Sequence, residues 1–445
     1  MLPDVPARPV EIPSSAHARR RRQLMRMAQD NAILIIPAAP ECVRSRDTHY
    51  PYRQDSDLLY LSGFEEPGAV LVLVPGRVHG QVLMFCRERD PAREAWDGPR
   101  LGPEGAVEAL GLDDAWPIDD IDDILPGLLE GRSRVYYHFG RDTDFDLKLI
   151  GWLNQVRAQV RMGAQPPHEF LELGHLLDEM RLFKGREEIR LMQRAADISV
   201  AAHAAAMRAV RPGQHEYHVQ AELEYIYRRH GAVPAYESIV GAGRNACVLH
   251  YRANNAPIAD GDLVLVDAGA EYRGYAADIT RTFPANGRYT AEQRMLHDLV
   301  ETAQAAALAQ ARPGVPYEAG HDAAVRTLTE GLLRLGLLKG KLERNIADGS
   351  YKRFYLHKTG HWIGLDVHDV GEYRIDGLSR LLEPGMVFTI EPGLYVRHDD
   401  TSVDARWRGI GIRIEDDVLV TGGGHQVLTD RLPRSAEAIE AWMAG

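Results

Sequence analysis

Residues 260–269 read DGDLVLVDAG, and residues 383–393 read EPGMVFTIEPG. Each stretch passes from a glycine turn into an apolar run and ends on an acid, Asp267 in the first and Glu391 in the second, with the same spacing from glycine to acid. A short apolar run bounded by turn residues predicts a buried strand. The sequence therefore predicts two equivalent strands, each closed by a carboxylate.

The helices that precede these strands repeat as well. Helical periodicity begins at Ile189 and again after a capping box at 290–293, and an Arg-Pro-Gly sequence ends it both times, at 211–213 and at 312–314. A second helix is predicted after each stop, so each half reads helix, helix, strand. Chance similarity of two short strands is the alternative, but order and spacing agree at three places. We infer a duplicated α/β unit with a pseudo-twofold axis that would bring the two acids together.

The first third of the chain has a different pattern. Short apolar runs alternate with polar, helix-compatible segments from about residue 30 to about residue 160, which is typical of a mixed α/β domain. Residues 161–170, RMGAQPPHEF, form a candidate linker. A chain of 445 residues also exceeds one ordinary domain. The fold class is therefore predicted as α/β (α+β), with an N-terminal domain at residues 1–173 and a duplicated domain at residues 174–445.

Composition limits the partners and the compartment. A formal net charge of −12 argues against a nucleic acid or an anionic membrane surface as partner. Three cysteines are too few and too scattered for a disulfide framework. The N-terminus, MLPDVPARPVEIP, lacks an apolar stretch of signal-peptide length, and no apolar run could cross a bilayer. We therefore expect a cytoplasmic protein. We also expect the arginine run 19–22 to lie on the solvated face of a helix whose N-cap is Ser15.

Four acids lie on or beside apolar strands: Asp267, Asp278 in GYAADITRTF, Glu391, and Glu415 in GIRIEDDVLV. Four converging carboxylates would repel one another unless cations lay between them. Two divalent ions would balance the charge, and His361 could add a nitrogen ligand. Oxygen-rich ligation with one imidazole suits manganese and is compatible with cobalt or zinc. Such ions would lie ~3.5–4 Å apart and share a hydroxide.

Four stretches resemble the motifs of the pita-bread metallopeptidases, and among them those of the X-Pro aminopeptidases (aminopeptidase P). They are LVLVDAGAEYRGYAADITRTF (263–283), HKTGHWIGLDVHDVGEY (357–373), TIEPGLY (389–395) and GIRIEDD (411–417). The wider family includes prolidase, methionine aminopeptidase and creatinase. The stretch at 46–75 also resembles the N-terminal domain of aminopeptidase P, so the resemblance covers almost the whole chain.

The resemblance implies the metal ligands residue by residue. Asp278 and Glu415 would bridge two ions, Asp267 would hold one of them, and His361 with Glu391 would hold the other. A bridging hydroxide would attack the carbonyl of the bond that precedes proline, and Glu391 would shuttle its proton.

The resemblance also implies the substrate contacts. His250 and His368 would contact the substrate and stabilise the tetrahedral intermediate, and His357 and Arg413 would line the proline side. Arg413 has independent support, because in a strand its side chain shares a face with that of Glu415, two residues on. By the same alternation, Asp416 should face away from the site, where solvation would satisfy its charge.

The implied function is hydrolysis of the bond between an N-terminal residue and a penultimate proline, with such peptides as substrates and a homo-oligomer as the assembly. Prolidase activity on X-Pro dipeptides is the nearest alternative, and a non-catalytic peptide-binding module on the same fold is another. Trp96 either faces a neighbouring subunit's site, as the resemblance implies, or packs in a core.

Three other motifs compete with this interpretation. GAGRNA at 241–246 imitates a dinucleotide fingerprint, but the sequence after it lacks helical periodicity. HEYH at 215–218 is one residue short of zincin spacing. Cys247 and His250 suggest a thiol nucleophile, yet no third group orients the histidine, so a small buried cysteine is expected.

Overall fold

A computed structural model of the chain describes residue 5 and residues 9–444. It divides into two compact units, Ile12–Met180 and Arg181–Gly445, and the described residues before Ile12 belong with the second. The predicted boundary between residues 173 and 174 stays a prediction. The expectation that no leader peptide is present rests partly on residues 1–4 and 6–8, which lie outside the described residues.

The first unit is built around one mixed sheet. Its strands are β1 (Ala32–Pro37), β2 (Val43–Ser45), β3 (Thr48–His49), β4 (Val70–Leu73), β5 (Val82–Cys86), β6 (Asp114–Pro117), β7 (Arg134–Tyr137) and β8 (Glu169–Glu172). Six of them form a sheet in the order β6-β5-β4-β1-β7-β8, and β2 pairs with β3 alone. The apolar alternation predicted this mixed domain correctly. The predicted linker at 161–170 is wrong at its last two residues, because they belong to β8 and pair with β7.

Helices cover this sheet. They are α1 (Ser14–Ala28), α2 (Ser56–Ser62), α3 (Pro91–Asp97), α4 (Gly102–Leu110), α5 (Ile121–Leu129) and α6 (Thr143–Ala158), and α7 (Gly174–Leu182) follows at the end of the unit. Apolar side chains from α5 and α6, including Leu125 and Trp152, pack with the strand residues Ile33, Val72 and Val135 in one buried cluster.

The solvated arginine face predicted for residues 19–22 is wrong at two positions. Arg20 is 6% exposed and donates to Tyr60 O at 2.9 Å. Arg21 is 1% exposed and donates to Leu61 O and Leu110 O, both at 2.9 Å. Carbonyl oxygens of neighbouring helices therefore accept hydrogen bonds from these two buried cations. Helix α1 also begins earlier than predicted, at Ser14 rather than after a cap at Ser15.

The second unit contains two helix pairs and several small sheets. Its helices are α8 (Arg186–Ala209), α9 (Glu216–Arg229), α10 (Ala291–Leu308), α11 (Glu318–Arg334), α12 (Leu342–Ala347) and α13 (Ala436–Ala444). Its strands are β9 (Val233–Pro234), β10 (Ile239–Ala242), β11 (Leu263–Asp267), β12 (Ala270–Tyr272), β13 (Tyr275–Ala276), β14 (Thr280–Pro284), β15 (Arg374–Ile375), β16 (Leu378–Ser379), β17 (Val387–Ile390), β18 (Gly393–Val396), β19 (Ile410–Arg413), β20 (Asp416–Thr421) and β21 (Gly424–Val427).

The predicted repeat is visible in the order of these elements. Helices α8 and α9 pack together before β11, and α10 and α11 pack together before β17. Strand β11 pairs antiparallel with β14, and β17 pairs antiparallel with β20. The two halves meet where Glu415 N donates to Thr280 O at 3.0 Å. Both acid-closed strands therefore end in the same region of this unit.

No helix in the described part of the chain combines the length and the apolar character that crossing a bilayer requires.

Candidate metal centre and active site

The five predicted metal ligands lie at ends of strands or in irregular segments beside them. Asp267 is the last residue of β11, and Asp278 precedes β14 by two residues. Glu391 follows β17 directly, and Glu415 lies between β19 and β20. His361 is hydrogen-bonded to β17 through its backbone, because Thr389 N donates to His361 O at 2.9 Å. The apolar strands bury these polar groups where the strands end.

All the predicted site residues line one cavity of about 320 Å³. They are His250, Asp267, Asp278, His357, His361, His368, Glu391, Arg413 and Glu415. The two strand-closing acids, Asp267 and Glu391, therefore lie together, as the duplicated unit predicted. Which of these residues bind metal, and which of them bridge, stays a prediction.

His361 is the nearest nitrogen to the acids. Its Nε2 lies 3.4 Å from Asp278 Oδ2 and 3.8 Å from Glu391 Oε1. One possible ligand atom from each of Asp278, His361 and Glu415 lies within 4.8 Å of the other two. These separations fit a cation held between oxygen and nitrogen donors after small side-chain movements.

Asp267 joins this group through two hydrogen-bonding neighbours. The Tyr236 hydroxyl lies 2.6 Å from Asp267 Oδ1 and 2.5 Å from Asp278 Oδ1, so it can donate its single proton to either carboxylate. Arg413 Nη2 donates to Asp267 Oδ2 at 2.5 Å. The prediction that Arg413 points into the site is confirmed by this contact, while its part in substrate binding stays a prediction.

The acids interact strongly with one another. Burial raises the pKa of Glu391 to about 7, against the opposing charges of His361 and Arg413. Burial, with like charge from Asp278 and Glu391, raises the pKa of Glu415 well above its ordinary value. Although burial lowers the pKa of histidines, contact with Asp278 raises that of His361 to about 9. The donor set therefore carries an excess of negative charge that divalent cations would neutralise.

The other three histidines have different surroundings. His357 Nε2 lies 2.9 Å from the Tyr395 hydroxyl, and burial with nearby Arg413 lowers the pKa of His357 to about 3. The ring of His368 packs edge-on against that of His361, with centroids 4.5 Å apart. His250 is exposed and lines the cavity. An imidazole N–H that faces the cavity, from His250 or His368, can donate a hydrogen bond to a substrate carbonyl.

Four polar residues around the site were not predicted from the sequence: Tyr236, Thr280, Tyr395 and Asp417. Thr280 Oγ1 donates to Glu415 Oε2 at 2.6 Å, and Asp417 Oδ2 accepts from Asp278 N at 3.1 Å. Two-residue alternation from Asp278 and from Glu415 would have found these two. The sequence carries no comparable signal for Tyr236, which follows the short strand β9.

The solvation predicted for Asp416 is wrong, although its direction away from the cavity is right. Asp416 is fully buried, and Arg281 Nη2 donates to its Oδ1 at 2.8 Å. Thr429 Oγ1 and Gln304 Nε2 donate to the same carboxylate. A buried carboxylate needs such partners because water cannot reach it.

Two competing motifs have ordinary structural explanations. GAGRNA ends in a short 3₁₀ turn, Gly243–Cys247, rather than in a helix that could receive a pyrophosphate. Burial raises the pKa of Cys247 to about 12, the opposite of an activated thiolate. Trp96 is 88% exposed, so its core alternative is wrong.

Comparison with known proteins matches both units. Residues 190–422 match metallopeptidase family M24, and residues 17–137 match the aminopeptidase P N-terminal domain. The Xaa-Pro aminopeptidase of Escherichia coli (strain K12) is 44% identical over 435 residues, which cover 97% of this chain and 98% of that protein. The chain belongs to metallopeptidase family M24.

Solved structures of this family agree over the full length. The Pseudomonas aeruginosa aminopeptidase PepP has a TM-score of 0.97 at 56% identity, covering 98% of this chain and 99% of that one. Zinc-substituted E. coli aminopeptidase P in complex with product has a TM-score of 0.95 at 44% identity, with the same coverage. The fold is therefore the pita-bread fold of this family, and the chemistry of the family depends on divalent metal ions.

Proposed function

We propose that this protein is a metal-dependent aminopeptidase that hydrolyses the bond between an N-terminal residue and a penultimate proline. The observation that carries the proposal is the meeting of four strand-end acids and His361 in one cavity of an M24 chain. Relatives named Xaa-Pro aminopeptidase, similar over both units, support the substrate class. A bond to proline resists most peptidases because proline has no amide hydrogen and a fixed φ.

Five residues would hold the metal: Asp267, Asp278, His361, Glu391 and Glu415. We propose two ions, with Asp278 and Glu415 shared between them, Asp267 on one ion, and His361 with Glu391 on the other. Two cations would offset four carboxylates whose burial is otherwise costly. When bound, the ions would polarise the scissile carbonyl and activate water at neutral pH. Manganese suits this oxygen-rich set, with cobalt and zinc as alternatives.

Three side chains would act on the reacting bond. Glu391 lines the cavity and could take a proton from water and pass it to the leaving nitrogen of proline. His368 and His250 line the same cavity and could donate hydrogen bonds to the carbonyl oxygen as negative charge develops there. Burial lowers the pKa of His368, which favours a neutral ring that would not repel the metal ions.

The proline side would be formed by a connected group of polar residues. Arg413 donates to the Tyr395 hydroxyl at 2.9 Å, and that hydroxyl also contacts His357 Nε2. Because Arg413 is held by three acceptors, its guanidinium is fixed before substrate arrives. We propose that Arg413 and His357 face the residue that follows the scissile bond.

A comparison of substrates tests the activity. Purified protein with added manganese should cleave an X-Pro-containing tripeptide, and a peptide with alanine in place of proline should be a poor substrate. A strong preference for the X-Pro dipeptide would favour prolidase instead. Metal binding without cleavage of either peptide would favour a non-catalytic binding module.

The remaining expectations concern the whole assembly. We propose a cytoplasmic homo-oligomer in which the exposed Trp96 reaches a neighbouring subunit's site, and a domain division at residues 173 and 174. Mass measurement of the native protein tests the oligomer, and limited proteolysis tests the division. A monomeric mass would remove the role of Trp96.

A further inference from the structure

The irregular segment that carries His361 and His368 ends in a buried ion cluster. Asp369 Oδ2 accepts from Lys184 Nζ at 2.9 Å, and Asp369 Oδ1 accepts from Arg181 Nη2 at 2.6 Å. These three side chains are 1–2% exposed. Arg181 Nη2 also donates to Asp366 Oδ2 at 2.6 Å. Asp369 therefore contacts both cations and Asp366 contacts Arg181, and both cations lie near the start of the second unit.

The two histidines of this segment are anchored differently. His361 is fixed by β17, since its backbone N donates to Thr389 Oγ1 at 3.1 Å and its backbone O accepts from Thr389 N. For His368, no hydrogen bond to another described residue is found, and its ring contacts the ring of His361. The position of the His368 ring consequently depends on the main chain that carries it.

The main chain next to His368 is fixed at Asp369. Asp369 N donates to Trp362 O at 2.9 Å, and its carboxylate is gripped by Lys184 and Arg181. The Asp369 carboxylate is also closely packed, because a Cβ added at Gly364 would lie 2.2 Å from Asp369 Oδ2. Burial alone would raise the pKa of Asp369, but the two cations hold it below its ordinary value, so the carboxylate stays charged.

We propose that Asp369, gripped by Lys184 and Arg181, is a positioning residue that fixes His368 in the active-site cavity. The inference rests on the proposed function, in which His368 donates to the reacting carbonyl. Asp369 does not line the cavity, so its effect must pass through its neighbour. Because hydrogen-bond donation to a developing charge depends on sub-ångström placement, loosening this anchor should slow turnover without removing metal.

A double-mutant cycle tests this coupling in the metal-loaded protein. Asp369→Asn keeps the shape of the side chain and removes its charge, so we expect kcat to fall by about 10–100-fold with metal content and KM near wild type. In a His368→Ala background the same change should cost less than about 2-fold, because the group it positions is already gone. A crystal structure of Asp369→Asn should show the His368 ring displaced or disordered.

Three further variants guard the interpretation. Lys184→Met removes one of the two cations and leaves Arg181 paired with Asp369, so it is the milder change if Asp369→Asn does not fold. Lys184→Arg should restore most of the kcat that Lys184→Met loses. Asp366→Asn is the matched control on the same segment: its side chain is 37% exposed and its loss leaves Asp369 paired, so kcat should change less than about 3-fold.

The inference is overturned if Asp369→Asn has the kcat of wild type or a lowered metal content. It is also overturned if the fold-decreases in kcat of Asp369→Asn and His368→Ala multiply in the double variant. Inactivity of the metal-loaded wild-type protein on X-Pro peptides would instead contradict the proposed function.

Discussion

Arg413 Nη2 lies 2.5 Å from Asp267 Oδ2, and the two side chains are 4% and 12% exposed. This ion pair joins a residue proposed to contact substrate to one proposed to bind metal. The guanidinium also donates to Thr280 Oγ1 at 3.1 Å and to the Tyr395 hydroxyl at 2.9 Å. The residues proposed for substrate recognition and for metal binding therefore belong to one buried hydrogen-bond network.

Replacing Arg413 with methionine should destabilise the metal-free protein more than the metal-loaded one. Without Arg413, the Asp267 carboxylate loses its cation and retains the Tyr236 hydroxyl as a partner, and breaking a buried ion pair in this way typically costs about 3–5 kcal/mol. A cation bound by Asp267 would offset much of that loss. Denaturant unfolding with and without manganese measures the difference, and exposed Arg397→Met should change neither value. Equal destabilisation in both states would separate Arg413 from the metal centre.

Asp278→Asn should abolish activity and lower metal content. The amide has no negative charge and loses one strong oxygen donor, while its size stays the same. Elemental analysis with a peptide-cleavage assay measures both effects. The matched control is Asp260→Asn, an exposed acid in the turn before β11, which should behave as wild type. Near-normal turnover in Asp278→Asn would refute its proposed bridging role.

His368→Ala should keep both metal ions while turnover falls by ~10²–10³, the usual cost of removing one donor to a developing oxyanion. Its effect should appear in kcat rather than in KM, because the contact strengthens in the transition state. Steady-state kinetics and elemental analysis check this together. Loss of metal from this variant would mean that His368 is a ligand.

His297 predicts a specific acid sensitivity. It is fully buried, and neither of its ring nitrogens has a hydrogen-bond partner among the described residues. Burial lowers its pKa from 6.5 to about 3. Between pH 6.5 and pH 3 the unfolded chain binds a proton at His297 that the folded chain does not bind. The free energy of unfolding is therefore highest above pH 6.5 with respect to this group, and it decreases as pH falls toward 3. At pH 5 the loss is about 2 kcal/mol.

The stability of His297→Phe relative to wild type should therefore be greater at pH 5 than at pH 8. Thermal unfolding at the two pH values measures the change. The exposed His398→Phe should show no such pH-dependent gain. An identical pH dependence of wild type and His297→Phe would show that His297 is not the acid-sensitive group.

Strand alternation and acid spacing predicted the four acids and the direction of Arg413, whereas His250, His357 and His368 were predicted only from the resemblance to the aminopeptidase P motifs. Residues two apart share a strand face, and this rule correctly predicted that Arg413 lies on the same face as Glu415. The same rule would have added Thr280 and Asp417 to the predicted site. The duplicated halves were predicted from the acids at the ends of two apolar strands. These features are local, so a single sequence contains them.

The polar partners that satisfy buried charge could not be predicted in this way. Tyr236 contacts acids 31 and 42 residues away, and Arg281 contacts Asp416 across 135 residues. Arg20 and Arg21 looked solvated in sequence because a charged run usually is, yet tertiary carbonyl acceptors bury them. Such partners depend on chain packing rather than on local periodicity.

The most direct test is anomalous diffraction at the manganese edge from crystals of the protein loaded with manganese. The account predicts two peaks about 3.5–4 Å apart, lying between carboxylates from both halves and next to His361. An active protein whose crystals show no peak among Asp267, Asp278, Glu391 and Glu415 would contradict it.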